Sequence, residues 1–333
     1  MNDNVIPKNG SIPDPGRRRL IAQLTLGIGS TVLSTPICGR VFGVTASATP
    51  SAGNAHSDRP LGIFTHIVPG AHATKAKLVR EAGFTCVQWY PALDRDVLTA
   101  DTFRRVADAY SSEGITIAAV AAYANLFDPR PEFRSAERKR LSRILQLAPE
   151  CGCCLVCTET GTLNTMRGSH PHNTRPDIWN EFVDLICGYL DEAARAGSTL
   201  ALEAYTKNIC RDTYDIRRLL ASVSRSPSLR FVADPFNILY EFELSDQRPV
   251  LREYLDVIGN ICVVAHAKDL IFEACDKATP RAGTGIFDWP AYAELLNHRL
   301  PTTPLILEHL KWTEVPGTFS FVREQFRRIS NRH

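Results

Sequence analysis

A single (β/α)₈ barrel, the TIM barrel, is the fold the sequence predicts for residues 60–333. Three observations carry it. Short β-rich runs alternate with longer amphipathic ones, eight such units can be counted, and together they fill about 270 residues, close to the roughly 250 typical of this fold. The strand candidates are Gly62–His66, Thr85–Tyr90, Thr116–Ala122, Leu155–Glu159, Leu200–Tyr205, Arg230–Asp234, Cys262–His266 and Leu305–Glu308. Apolar residues at three- and four-residue spacing mark helices over Lys75–Ala82, Ala100–Glu113, Ser135–Cys151, Pro176–Gly197, Tyr214–Val223, Val250–Gly259 and Trp289–Asn297, and Phe319–Ile329 closes the chain. Pro176 opens one helix, while Gly83, Gly114 and Gly197 end others just before strands. An open doubly wound sheet would carry a glycine-rich phosphate turn after its first strand. Here that turn reads His66-Ile67-Val68-Pro69-Gly70-Ala71, without G-x-G-x-x-G, and the barrel is preferred.

With 333 residues, 44% hydrophobic and 22% charged, the chain has the apolar content for one large core, which excludes disorder over most of its length. The 38 basic and 36 acidic residues are spread throughout, so no basic stripe points to nucleic acid or anionic lipid. A small neutral or weakly charged ligand suits this balance, and a homo-oligomer is compatible with it.

Residues 1–48 differ from the rest. Arg17-Arg18-Arg19 precede a mildly apolar run from Leu20 to Leu33, and Ala46-Ser47-Ala48 offers a small-residue cleavage site. This reads as a twin-arginine-like signal peptide followed by a flexible linker over residues 49–59, which predicts a periplasmic or otherwise exported protein with no membrane association after cleavage. An uncut N-terminal anchor is the competing reading; Gln23, Thr25, Gly27 and Gly29 make the run short and weak for a transmembrane helix. Of ten cysteines, Cys151, Cys153, Cys154 and Cys157 cluster. Two are adjacent and the run continues into an apolar strand, so buried small hydrophobes are favoured over a zinc site.

In such a barrel, reactive groups sit where strands end and the following loops begin. Strands five to eight each end an apolar run with one ionisable residue: Glu203, Asp234, His266 and Glu308, at spacings of 31, 32 and 42 residues, each about one βα unit. Neighbouring strands lie about 4.8 Å apart, so the four side chains can converge. Any one of them alone could simply cap a loop. Together, three carboxylates and an imidazole make a hard, mainly oxygen site for one divalent metal ion, best suited to Mn²⁺ or Mg²⁺, with Co²⁺ or Zn²⁺ tolerated.

Residues 60–330 resemble the xylose isomerase-like TIM barrel family, the sugar phosphate isomerase/epimerase superfamily. The likeness rests on Leu202-Glu203, on Ala233-Asp234-Pro235 followed by Asn237, on His266-Ala267-Lys268-Asp269, on Gly283-Thr284-Gly285-Ile286-Phe287-Asp288-Trp289-Pro290 and on Leu307-Glu308. It implies a metal-dependent sugar isomerase or epimerase with one metal on Glu203, Asp234, His266 and Glu308, and with Glu203 and Glu308 as the acid/base pair. Three departures stand out. The second glutamate that ketose 3-epimerases place shortly after the first ligand is missing from Ala204-Tyr205-Thr206-Lys207-Asn208-Ile209. Asn237 stands where the apurinic endonuclease branch has a zinc-binding histidine. Gln88 replaces a glutamate that many relatives carry near the end of strand two.

Further polar residues are expected at the mouth as carbohydrate-binding groups: Lys268, His66, Tyr123, Asn125, Glu159, Asn237 and Arg281. Lys268 has an alternative partner in Asp269, and for the others loop capping is the competing role. Trp89 and Tyr90 are candidates for stacking on a sugar face, and Asp288 is expected to cap the helix at Trp289. The same metal and base also serve a lyase or dehydratase, including β-elimination of 3-keto-glycosides. From a different class, a periplasmic sugar-binding protein would keep the barrel without turnover.

Overall fold

The computed structural model describes residues 59–91, 98–223, 228–273 and 276–330; the expected signal over 1–48 and nearly all of the 49–59 linker lie outside them. Eight parallel strands close a barrel in the order β1-β8-β7-β6-β5-β4-β3-β2. They are β1 (Leu61–Phe64), β2 (Cys86–Trp89), β3 (Thr116–Ala121), β4 (Leu155–Glu159), β5 (Thr199–Glu203), β6 (Leu229–Ala233), β7 (Cys262–Ala267) and β8 (Leu305–Leu307). Long helices follow in turn: α1 (His72–Glu81), α2 (Ala100–Ser111), α3 (Pro131–Leu147), α4 (Pro176–Ala196), α5 (Thr213–Ser222), α6 (Gln247–Ile258), α7 (Trp289–Arg299) and α8 (Val315–Ser330). All sixteen expected elements are present. The largest boundary shifts, of four residues, are at both ends of α3 and at the start of α8. Helix α3 begins on Pro131, whose missing N–H is one that a first helical turn leaves unpaired anyway.

Period-two alternation sorts the strand residues. Phe64, Cys86, Ala119, Ala121, Cys157, Ala201, Val232, Val264 and Ile306, drawn from all eight strands, pack together as the barrel interior. Their neighbours, such as Ile63, Val87, Val156, Leu202, Phe231 and Leu307, join the helices in a larger outer core. At Gly62 a Cβ would lie 2.6 Å from Ile306 Cδ1 and 2.7 Å from Cys86 Sγ, so glycine there lets β1 approach its neighbours. Cys151, Cys153 and Cys157 are buried thiols without disulfides, and burial pushes the Cys151 thiol up to about 12. That is the apolar role expected of them.

Between β7 and α7 the chain makes an antiparallel hairpin, Ile271–Glu273 with Asp276–Ala278, that the sequence did not announce. Strands of three residues are too short for alternation to register. The rest of this connection is organised by Asp269, buried, whose Oδ1 accepts from the Leu270 and Phe287 N–H groups at 2.9 and 3.0 Å. Its Oδ2 accepts from Gly283 N–H at 2.9 Å and from Trp289 Nε1 at 3.1 Å. A Cβ on Gly285 would sit 2.3 Å from both Asp269 Oδ1 and the Leu270 carbonyl.

The connections at the strand C-termini are tied to one another. Asn125, after β3, accepts from Thr162 N–H and donates to the Asn164 carbonyl; Asn173, after β4, donates to the Lys207 carbonyl. Thr206 N–H, after β5, bonds the Asn237 carbonyl, which also accepts from Lys277 of the hairpin at 2.9 Å. Thr279 Oγ1 lies 2.8 Å from Nδ1 of His309, the residue after Glu308. Among the described residues no helix is long and apolar enough to cross a membrane.

Candidate active site

Glu203 is the last residue of β5, Asp234 and Glu308 directly follow β6 and β8, and His266 sits one residue before the end of β7, opposite Ile306. All four side chains are buried. They meet at His266 Nδ1, which is 3.0 Å from Asp234 Oδ2, 3.3 Å from Glu308 Oε1 and 3.5 Å from Glu203 Oε2. Bonds of about 2.1 Å to one ion require donor atoms roughly 3.0–3.5 Å apart, and these separations match. Glu203, Asp234 and His266 also form a metal-compatible group by the mutual closeness of their donor atoms. Buried Glu308 Oε1 makes no aligned hydrogen bond and faces His266 Nδ1 and the Lys268 ammonium, the latter at 2.8 Å. The donor set therefore fits a hard divalent ion.

Lys268 does not pair with Asp269. Its Nζ lies 2.6 Å from Asp234 Oδ2 and 2.8 Å from Glu308 Oε1. Burial alone would raise Asp234 and Glu308, yet Lys268 holds the first below its ordinary value, and His266 with Lys268 holds the second well below. Glu203 goes the other way, raised well above the carboxylate range by burial and by the charge of Asp234. Burial would lower His266, but Glu308 and Glu203 overcome it and lift the ring to about 10. Near neutrality the protein alone thus keeps a proton on His266 that a divalent ion has to displace, and the upward shift of Glu203 opposes ion binding in the same sense. Metal affinity is expected to rise with pH, by about tenfold per unit in the neutral range, since the His266 proton competes with the ion. Calorimetry in buffers of different ionisation enthalpy should report about one proton or more released on binding; none released would contradict the placement of the ion on these groups.

Glu203 is also held from outside the group. Tyr123 donates its hydroxyl to Oε2 at 2.7 Å and Asn237 donates its amide to Oε1 at 2.6 Å. Gln88, fully buried, lies with Oε1 3.0 Å from His266 Nε2 and donates from Nε2 to the Tyr123 hydroxyl at 3.2 Å.

Of the residues expected to bind substrate, Tyr123, Asn237 and Lys268 contact the central group directly. His66 lies at its edge, with its ring centroid 4.8 Å from that of Phe64 and 5.9 Å from that of Tyr90; burial lowers its pKa and Glu308 opposes this. Glu159 is opposite Glu203 in the β4–β5 register and accepts from Asn208 at 3.0 Å. Two of the expected residues have partners of their own. The Asn125 amide is committed to the loop after β4, accepting and donating as described above, and Arg281 points its Nε at Glu314, 3.4 Å away at the start of α8. Trp89 is likewise core, buried against Phe103, whereas Asp288 caps α7 through Ala291 N–H as expected.

The profile of the family described as xylose isomerase-like TIM barrel matches residues 76–320. The chain belongs to the xylose isomerase-like TIM barrel family. Among solved structures, 3-keto-D-glucoside 4-epimerase from E. coli shares 18% identity and a TM-score of 0.60, covering 82% of this chain and 99% of that one. D-psicose 3-epimerase with D-tagatose from Clostridium cellulolyticum H10 shares 14% and 0.62, covering 80% and 99%. A xylose isomerase-like TIM barrel protein from Mycobacterium smegmatis in complex with magnesium shares 16% and 0.60, covering 82% and 97%. At these identities the likeness speaks to the fold. No curated protein matches the chain.

Within this xylose isomerase-like barrel, several site residues had no sequence signal. His309 follows Glu308 in a left-handed conformation (φ 57°), with Nε2 3.9 Å from Glu308 Oε2. Lys277 is buried in the hairpin with Nζ 3.2 Å from Thr206 Oγ1, and burial pushes it down to about 7. Only the assembled barrel brings these beside the ligand set.

Proposed function

We propose that the chain is a divalent-metal-dependent sugar isomerase or epimerase that moves a proton next to the carbonyl of a sugar or keto-sugar derivative. The observation that carries this reading is the convergence of Glu203, Asp234 and Glu308 on one imidazole nitrogen at the C-terminal mouth of the barrel. Glu203, Asp234, His266 and Glu308 would hold the ion, and their hardness favours Mn²⁺ or Mg²⁺. When bound, such an ion polarises a substrate carbonyl and acidifies the adjacent C–H. Glu203 and Glu308 are the groups that remove and return the proton, the first oriented by Tyr123 and Asn237. Lys268 provides positive charge beside any oxygen that gains electron density. With three carboxylates, Lys268 and a divalent ion, and with His266 neutral, the centre carries no net charge, which suits a neutral carbohydrate. The epimerases and the magnesium complex among the similar structures agree with this reading.

Export through a signal at Arg17-Arg18-Arg19 would put this activity outside the cytoplasm, where unphosphorylated sugars and keto-glycosides are the accessible substrates. Purified protein should contain one divalent ion per chain and should exchange deuterium from D₂O into the carbon next to the carbonyl of a ketose or 3-keto-glycoside. Release of the aglycone during exchange would redirect the reading to β-elimination. Binding without exchange would make the chain a sugar-binding protein.

A further inference from the structure

The second strand ends in a side chain that no charge recommends. Gln88 is fully buried, and the β2–β3 register shifts between Val87 and Gln88, an irregularity of the kind that re-aims a side chain. Its amide bridges His266 Nε2 at 3.0 Å and the Tyr123 hydroxyl at 3.2 Å, and Tyr123 continues to Glu203 Oε2 at 2.7 Å. Gln88 thereby joins two of the proposed metal ligands, meeting His266 at the ring nitrogen turned away from the carboxylates and Glu203 through Tyr123.

We infer that Gln88 is a positioning residue whose amide fixes the direction of this hydrogen-bond circuit, holding the His266 hydrogen at Nε2 so that Nδ1 is the nitrogen that yields its proton to the metal, and turning the Tyr123 hydroxyl toward Glu203. The inference rests on the metal-centre reading above. An amide oxygen only accepts and an amide nitrogen only donates. With Gln88 Oε1 on the ring, His266 Nε2 carries the hydrogen, and in the neutral ring Nδ1 is left as a lone pair facing the three carboxylates. With Gln88 Nε2 on Tyr123, the phenol oxygen is already an acceptor, so its single hydrogen goes to Glu203. Turning the amide over reverses every step: the ring hydrogen moves to Nδ1, where an ion would have to bind, and Tyr123 donates to Gln88 instead of Glu203. The ligand orientation and the base orientation are therefore set by one uncharged side chain. Groups that hold the far nitrogen of a metal-binding histidine typically change metal affinity by about 10- to 100-fold when removed.

Two substitutions separate the halves of the circuit. Gln88→Met neither accepts nor donates, and should weaken Mn²⁺ or Mg²⁺ binding, read by calorimetry, by about 10- to 100-fold. Gln88→Glu keeps the acceptor for His266 but replaces the donor to Tyr123 with a second acceptor. It should retain metal affinity within a few-fold and lower kcat by about tenfold or more at unchanged KM. Because both changes act through the same hydrogen, Tyr123→Phe should reduce kcat in the wild-type chain and add little in the Gln88→Glu background. In the Mg²⁺-loaded protein, nitrogen NMR should show the His266 hydrogen on Nε2 in wild type and Gln88→Glu. Wild-type metal affinity in Gln88→Met, or additive effects of Gln88→Glu and Tyr123→Phe, would overturn the inference. If Gln88→Met fails to fold, the Gln88→Glu and Tyr123→Phe cycle decides alone. A wild-type chain that binds no divalent ion would remove the metal reading and this inference with it.

Discussion

Glu308→Gln is expected to lower kcat by about a thousandfold while the barrel remains folded. The change is nearly isosteric, but the amide cannot take up a proton, and positioned acid/base groups contribute about 10²- to 10⁴-fold. Its effect on ion binding should be smaller, because Asp234, His266 and Glu203 remain. Asp234 also keeps Lys268 paired at 2.6 Å, so no buried cation is stranded. Initial-rate kinetics together with metal analysis check this, and a variant that still exchanges deuterium into substrate at the wild-type rate would remove Glu308 from the chemistry. His309, 3.9 Å from the outer oxygen of Glu308, should matter less to kcat, since it does not converge on the central nitrogen.

The second large effect concerns stability. Asp269→Ala is expected to cost about 3–5 kcal/mol, because removing a buried, fully engaged carboxylate leaves its donors without partners. The four donors are Leu270, Gly283 and Phe287 N–H and the Trp289 indole. Urea unfolding should show a lower midpoint with an unchanged slope. Gly285→Ala should produce a related loss from the opposite cause, since the added carbon would press on Asp269 itself. Wild-type stability for Asp269→Ala would mean that the β7–α7 connection is held by something other than these bonds.

The barrel and its four central residues were legible because they rest on local patterns. Alternation of apolar runs marks strands and helices, and each of Glu203, Asp234, His266 and Glu308 ends or follows such a run on a successive strand. What stayed hidden depends on contacts distant along the chain. Gln88 acquires its role only when β2 lies across the interior from β7, 178 residues away in sequence. The Lys277 position is set by a hairpin whose three-residue strands have no period to detect. Asn125 and Arg281 show the opposite case. Polar residues near strand ends were expected to face a ligand, but barrel loops also need internal hydrogen bonds, and the chain uses Asn125 for that purpose and leaves Arg281 to pair with Glu314.

The ties between connections give the mouth an uneven compliance. From the loop after β3 round to His309, each connection is bonded to the next through Asn125, Asn173, Thr206, Lys277 and Thr279. Moving one of these loops outward strains its neighbours, so this arc behaves as a belt. The sectors after β1 and β2, where His66 and Tyr90 sit at the rim, lie between the two ends of that belt and are bonded to each other from Tyr90 N–H to Thr65 Oγ1. Under the proposed function, a substrate larger than a single ring would be accommodated with least disturbance if its additional group extended over these sectors. Sequence change there can retune the choice of substrate while the ligand-bearing arc keeps its shape.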